Sequence, residues 1–261
     1  MRILVFCPLN PSMPRLWGQT VTSIFKMEWG EPIEYLFRAN DNPYPNGGLR
    51  DKYLNVTHNY NFARRYTIGG RYDALLCVEA DMILPPDTLR RLVACDADVA
   101  YGLYVFRHTR HTWSAYIKLG DRHGRSLSQE PEQARDLWGR VIDVQGVGLG
   151  CTLIRRQVLE QLDFHLHPEV IQTCCDWLLA RDCIRYGFTQ RCDTGLVCGH
   201  LTYKPFPQVF WPDPNERRMY RQEALDGVKF SPYPIGNGNK IEVSVGMGRT
   251  EVHQMPAQAE V

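Results

Sequence analysis

Glu79-Ala80-Asp81 is a place in the sequence where residue type and spacing could do chemistry. Alternate residues of an extended strand share a face, so Glu79 and Asp81 point one way and Ala80 points back into the fold. The two acids follow directly on the apolar run "YDALLCV" (72–78). Carboxylates this close at a partly buried strand end repel each other and lose hydration. A raised pKa on one of them relieves the conflict, and so does a bound cation. A hard divalent ion, Mn2+ or Mg2+, prefers oxygen ligands and keeps positions open for phosphate oxygens. The plainer alternative is a solvated turn in which Asp81 helps to start the next helix. His200 ends a second short apolar run, "LVCGHL". Its imidazole suits Mn2+ better than Mg2+, and an Asp/His pair with phosphate oxygens completes an octahedral site. A lone core histidine is more often a hydrogen-bonded structural residue, so the metal reading rests on the combination.

Elements that could position these residues alternate along the N-terminal part. "RILVFC" (2–7), "PIEYLF" (32–37), "YDALLCV" and "ADVAYGLYVF" (97–106) read as strands. Helices are expected at 16–27, at 52–68 before the Gly69-Gly70 stop, and at 86–96 with Pro near the first turn. Strand–helix alternation with near-continuous apolar strands implies an open, mostly parallel α/β sheet covered on both faces. Ligands of such sheets collect at the carboxyl ends of the strands, where Glu79 and Asp81 lie. Further on, "SAYIK" reads as a strand and 120–136 as an exposed, mobile excursion. Residues 140–162 read as a glycine-broken strand pair with a short helix, and 173–187 as a helix with a Gly stop. "TQRCD" and "LVCGHL" read as short strands, and a polar helix is expected near 214–226. The last thirty residues read as loosely attached. "GVGLG" (146–150) is not a dinucleotide fingerprint, because Cys151 stands where the third Gly belongs and a strand follows.

With 261 residues, 44% hydrophobic and 23% charged, the chain suits one soluble domain with a sizeable core. A net charge of +1 selects neither nucleic acid nor an acidic membrane as partner. "MRILVFCPLNP" has too short an apolar stretch for a signal-peptide core, and no run reaches the roughly 20 apolar residues of a membrane helix. A cytoplasmic location is expected. The nine cysteines are odd in number and irregularly spaced, and several, such as Cys7, Cys77 and Cys151, sit in apolar runs. They read as reduced buried thiols. No Cys-x-x-Cys knuckle supports structural zinc among Cys174, Cys175, Cys183, Cys192, Cys198 and His200.

Three ordered segments carry a resemblance. "YDALLCVEADMILPPDTLRRL", "VQGVGLGCTLIRRQVLEQL" and "CDWLLARDCIRYGFTQRCDTGLVCGHL" resemble, over residues 1–205, the GT-A-fold glycosyltransferases of the family 2-like, small bacterial and phage type. The resemblance implies a GT-A fold, a Rossmann-like open sheet, with a nucleotide-binding half (1–106), an acceptor and metal half (107–205) and a C-terminal extension (206–261). It implies sugar transfer from a nucleoside-diphosphate donor, a UDP-sugar first, to an acceptor hydroxyl. Asp81 and His200 would bind Mn2+ or Mg2+. Glu79, where the family more often has Asp, would contact the ribose or a metal-bound water. Asp176 would be the general base of an inverting displacement. The family usually has Glu-Asp where this chain has Cys175-Asp176, and Thr173 with Asp176 equally matches a capping box. If Asp176 only caps, a retaining mechanism stays open. Pro8 and Asn10 would line the base pocket, with Asp41 (or Asn40) accepting from the base or ribose. Asn61 and Arg64 resemble polar positions near the nucleotide, and Lys204 would hold a phosphate. Gly148 and Gly150 would let the backbone approach sugar and acceptor, beside Trp177.

Rival readings are a sugar-nucleotide nucleotidyltransferase, whose glycine-rich loop after the first strand is missing here, and a non-catalytic nucleotide-sugar-binding module. The acceptor is a glycan, a small molecule or modified DNA. For DNA, "FRHTRHTW" (106–113) with Arg122, His123 and Arg125 would form a basic aromatic surface; the alternative is a solvated loop with one packed Trp113.

Overall fold

Continuous apolar runs form strands buried on both faces at the centre of the molecule. The computed structural model describes residues 1–9, 14–39, 43–45, 47–107, 111–120, 123–169, 174–202, 207–225, 240–245 and 249–254, with backbone only for 14–17, 39 and the last two segments. The strands are β1 (Ile3–Leu9), β2 (Glu34–Ala39), β3 (Ala74–Val78), β4 (Met82–Ile83), β5 (Val99–Leu103), β6 (Tyr116–Leu119), β7 (Gly124–Ser126) and β8 (Val141–Asp143). They continue as β9 (Cys151–Arg155), β10 (Gln190–Val197), β11 (Gly199–Thr202), β12 (Gln208–Pro212), β13 (Tyr220–Ala224), β14 (Lys240–Val245) and β15 (Arg249–Gln254). The α-helices are α1 (Pro14–Phe25), α2 (Leu49–Gly69), α3 (Thr88–Ala94), α4 (Pro131–Asp136), α5 (Arg156–Gln161) and α6 (Cys175–Tyr186).

Seven strands make the main sheet in the order β2-β1-β3-β9-β5-β10-β8. β1 runs parallel to β2 and β3, and β5 parallel to β10, while β9 and β8 run antiparallel to their neighbours. The sheet is therefore mostly parallel, as expected. The connections through α1 and α2 cross it in opposite directions, so right-handed crossovers put the two helices on opposite faces. α2 stops at Gly70, whose N–H donates to Tyr66 O at 2.9 Å. α6 stops at Gly187, in the left-handed region at φ 76°, which favours glycine.

A second sheet, β13-β12-β11-β4, stands beside the end of β3. Its antiparallel pairing sets Gly199 opposite Ile83, His200 opposite Met82 and, on the other side, His200 opposite Phe210. Three local expectations give way here. Residues 220–224 form a strand, not part of a polar helix, because their backbone pairs with β12 from Tyr220↔Pro212 to Ala224↔Gln208; an available edge overrides helical propensity. The excursion at 120–136 is instead ordered where it is described: Ser126 and Gln129 close a capping box, and Leu127 and Ala134 are fully buried. "TQRCD" and the start of "LVCGHL" merge into the single strand β10, clamped to α3 by Arg91 Nε and Nη2 donating to Asp193 at 2.7 Å each.

Candidate metal and catalytic site

The main-sheet strand β3 and the second sheet meet at the acids. Beyond Val78 the chain turns through Glu79-Ala80-Asp81, with Met82 N–H donating to Glu79 O at 3.2 Å. Two hydroxyls of α1 hold this turn. Thr20 Oγ1 donates to Ala80 O at 2.9 Å, and Ser23 Oγ accepts from Leu84 N–H at 3.1 Å. On the other side Leu201 N–H donates to Asp81 O at 2.7 Å. Residues 120 positions apart in the chain thereby face each other.

Ligand atoms of Glu79, Asp81 and His200 all lie within 4.8 Å of one another. His200 is buried, and its Nδ1 is 2.6 Å from Val105 O. A carbonyl oxygen can only accept, so Nδ1 carries a proton and Nε2 is the ring nitrogen left to meet the acids. That Nε2 is buried without a hydrogen-bond partner among the described residues and lies 3.6 Å from Asp81 Oδ1. A buried ring nitrogen left unpaired is costly, and a cation satisfies all three groups at once. Donation of the other ring N–H to a carbonyl is also how metal-binding histidines are oriented. The donor set, two carboxylates and an imidazole, fits Mn2+ or Mg2+, and the three residues form a candidate metal site.

The electrostatics agree. Burial, together with the charges of Asp81 and Asp176 and against that of Arg107, pushes the Glu79 carboxyl up to about 8. Burial also works against ionised Asp81, but His200 and Arg107 outweigh it and hold that carboxyl below its ordinary value. The pair is thus split, as two like charges in one site require. Arg107, which sequence reading placed on a basic surface, turns inward: Nη2 donates to Asp81 Oδ2, and Nη1 donates to Leu201 O at 2.8 Å.

Asp176 lies in the first turn of α6, whose N-cap is Cys174 and not Thr173 as a Thr173–Asp176 capping box requires. Its Oδ1 accepts from Trp177 N–H at 2.7 Å. Burial pushes the carboxyl up, opposed by hydrogen bonds from the Trp177 backbone and the Cys174 thiol. Gly148 and Gly150 bring the loop before β9 against the same acids. Gly150 O accepts from Glu79 N–H at 3.2 Å. A Cβ on Gly148 would stand 2.3 Å from Tyr104 Oη and 3.2 Å from Asp176 Oδ2. Tyr104 meets His200 edge-on at 5.5 Å. Trp177 packs against Tyr116, and its Nε1 donates to Gly120 O at 3.2 Å.

Other sequence candidates fall elsewhere. Pro8, near the carboxyl end of β1, pairs with Arg38 on the sheet edge where Glu79 lies. Asn61 and Arg64 hydrogen-bond to the backbone of residues 159–164. Asn61 Nδ2 donates to Phe164 O at 2.6 Å and its Oδ1 accepts from Phe164 N–H, while Arg64 Nε donates to Leu159 O and Leu162 O at 2.7 and 2.8 Å. They bind α2 to the end of α5, a structural role in place of the expected nucleotide contact. Asn10, Asn40, Asp41 and Lys204 lie outside the described residues. The described residues of the basic aromatic stretch, 106–107 and 111–113, fold against the second sheet. Trp113 is fully buried, with Nε1 donating to Met219 O. His111 stacks on Phe210 at 4.9 Å, and Arg125 pairs with Glu130. All nine cysteines are free thiols. Thr20, Ser23, Tyr104 and Arg107 escaped sequence reading because nothing local marks them; they matter through segments that meet only in the fold.

The mostly parallel sheet with acids beyond the end of β3 is the arrangement that the resemblance of the three sequence segments implies. No protein-family model matches the chain, and no curated protein matches it. Among solved structures, A197 from STIV is similar over 86% of this chain and 94% of its own, at 18% identity and a TM-score of 0.55. GalNAc-T7 with UDP, GalNAc and Mn2+ is similar over 77% of this chain and 44% of its own, at 12% identity and 0.48. The mannosyltransferase PcManGT from Pyrobaculum calidifontis, in complex with GDP-Man and Mn2+, is similar over 72% and 53%, at 14% identity and 0.44. At these identities the likeness is one of fold, and this chain spans about half the length of the last two proteins. No helix among the described residues is long and apolar enough to cross a membrane.

Proposed function

We propose that the protein is a metal-dependent glycosyltransferase that moves a sugar from a nucleoside-diphosphate donor, a UDP-sugar first, to an acceptor hydroxyl. The observation that carries this reading is the buried Nε2 of His200, without a hydrogen-bond partner among the described residues, facing Glu79 and Asp81. These three residues would hold Mn2+ or Mg2+. Bound there, the ion would neutralise the charge that grows on a leaving diphosphate. Asp81, held by Arg107 and by the backbone of Leu201, keeps its orientation, and His200 is fixed by Val105 O. Asp176 would take the proton from the acceptor hydroxyl as that oxygen attacks the anomeric carbon and the carbon–oxygen bond to the diphosphate breaks. Its burial-raised pKa suits a base that must accept a proton. Gly148, which could not carry a side chain without displacing Tyr104, lets the backbone approach beside that base. Pro8 would meet the nucleotide, and the resemblance assigns Asn10 and Asp41 to the nucleotide and Lys204 to a phosphate. The inward placement of Arg107 and Trp113 gives the DNA-acceptor alternative no support, and a glycan or small-molecule hydroxyl is the acceptor this reading favours.

The test is a panel of nucleotide sugars with Mn2+, following release of nucleoside diphosphate. Release should stop in EDTA. Asp176→Asn should keep donor binding and lose at least a hundredfold in transfer, the range of general-base catalysis. Full release in chelator overturns the metal assignment, and normal transfer by Asp176→Asn leaves that residue a structural one.

A further inference from the structure

The positive charge that faces Asp81 comes from the chain itself. The Arg107 fork bridges the acid turn and β11, donating to Asp81 Oδ2 and to Leu201 O. The Asp81 side chain is 8% exposed and that of Arg107 is 31% exposed, so the guanidinium is the partner that opens toward solvent. Its charge also reaches Glu79, which it makes easier to ionise. One carboxylate thus serves two cations. Oδ1 faces His200 Nε2, where a metal would sit, and Oδ2 holds the guanidinium. A divalent ion on Oδ1 withdraws negative charge from the carboxylate and weakens its hold on Arg107. The fork geometry that matches a carboxylate matches a phosphate equally well.

We propose that Arg107 is a second cationic foothold for the nucleoside diphosphate, held in reserve by Asp81 and handed to the phosphates when a metal takes over that carboxylate. The proposal rests on the donor reading above and adds to it a coupling: metal and diphosphate bind cooperatively through one shared carboxylate. It also assigns a site role to a residue that the sequence put in a surface loop.

The experiment is titration calorimetry with UDP and with GDP, in EDTA and in Mn2+. Asp81→Asn keeps the side chain's shape and removes the charge that holds Arg107. In EDTA it should bind the preferred nucleoside diphosphate at least fivefold more tightly than wild type. In Mn2+ Arg107→Gln should bind at least fivefold more weakly than wild type, and in EDTA the double variant should lose the whole gain of Asp81→Asn. A purely structural ion pair predicts no gain in Asp81→Asn. A general relief of negative charge predicts that the double variant keeps the gain. Either result overturns the hand-over while leaving the donor reading intact, provided that wild type binds with Mn2+. Wild type that binds neither UDP nor GDP with Mn2+ removes the donor reading, and the hand-over with it. Should Arg107→Gln fail to fold, Asp81→Asn/Arg107→Lys replaces the double variant. Lysine keeps the charge without the fork, so this variant should keep part of the gain; a total loss or a full gain overturns the proposal.

Discussion

His200→Asn separates the two jobs of that imidazole. An Asn amide nitrogen can stand near the place of Nδ1 and keep the donation to Val105 O, now 2.6 Å long, but it offers nothing at the Nε2 position. Without metal, the variant loses the edge-on contact with Tyr104, worth about 0.5–1.5 kcal/mol. It also sheds a buried ring nitrogen that has no hydrogen-bond partner among the described residues, a cost of about 1–3 kcal/mol. The two nearly offset, so in EDTA the variant should unfold within about 2 kcal/mol of wild type. Mn2+ opens the difference. At 100 times its Kd, a ligand adds about 2.7 kcal/mol to the protein that binds it. For a chain of this size that is a rise of about 5–10 °C in Tm. Thermal melts in EDTA and in saturating Mn2+ should show this rise for wild type and less than about 2 °C for His200→Asn. An equal rise in both proteins refutes Nε2 as a ligand. A loss of more than about 4 kcal/mol in EDTA refutes the reading of Nε2 as an unsatisfied group.

Glu79 makes stability depend on pH in a direction opposite to an ordinary salt-bridged acid. Burial and the charges of Asp81 and Asp176 push its carboxyl up to about 8 in the fold, against an ordinary 4.5, so between these values the native state holds a proton that the unfolded chain has released. Metal-free stability should therefore fall as pH rises through that window, and Glu79→Gln should flatten the difference; parallel urea midpoints for the two proteins from pH 5 to 8.5 would contradict the burial argument. Mn2+ must expel the same proton, so its apparent affinity should climb with pH until about 8, as read by calorimetry in buffers of different ionisation enthalpy. Gly148→Ala places a methyl group 2.3 Å from Tyr104 Oη and 3.2 Å from Asp176 Oδ2. Overpacking of this kind costs about 1–3 kcal/mol, and displacement of the base should lower transfer at least tenfold, with wild-type stability and rate together arguing that the loop yields freely.

What the sequence determined is what local pattern can encode. β1, β3 and β5 appear as unbroken apolar runs because both faces of those strands are covered. The acids stand out because two like charges at the end of such a run demand a compensating partner. The stop of α6 at Gly187 follows from the backbone alone. Tertiary structure decided which partner the acids meet. The register that sets His200 opposite Met82 joins strands far apart in the chain, and no local period records such a pairing. Pairing with β12 likewise made a strand of residues 220–224, which as an isolated polar stretch read as helix. Arg107 is the sharpest case: a basic residue in a basic, aromatic stretch looks like surface until the fold lays it across Asp81. Asn61 and Arg64 show the converse, polar residues near the expected site that the fold spends on the backbone of residues 159–164. Charge and hydrogen-bonding capacity are written in the sequence, but what a charge faces is a long-range contact, and only the packed chain supplies it.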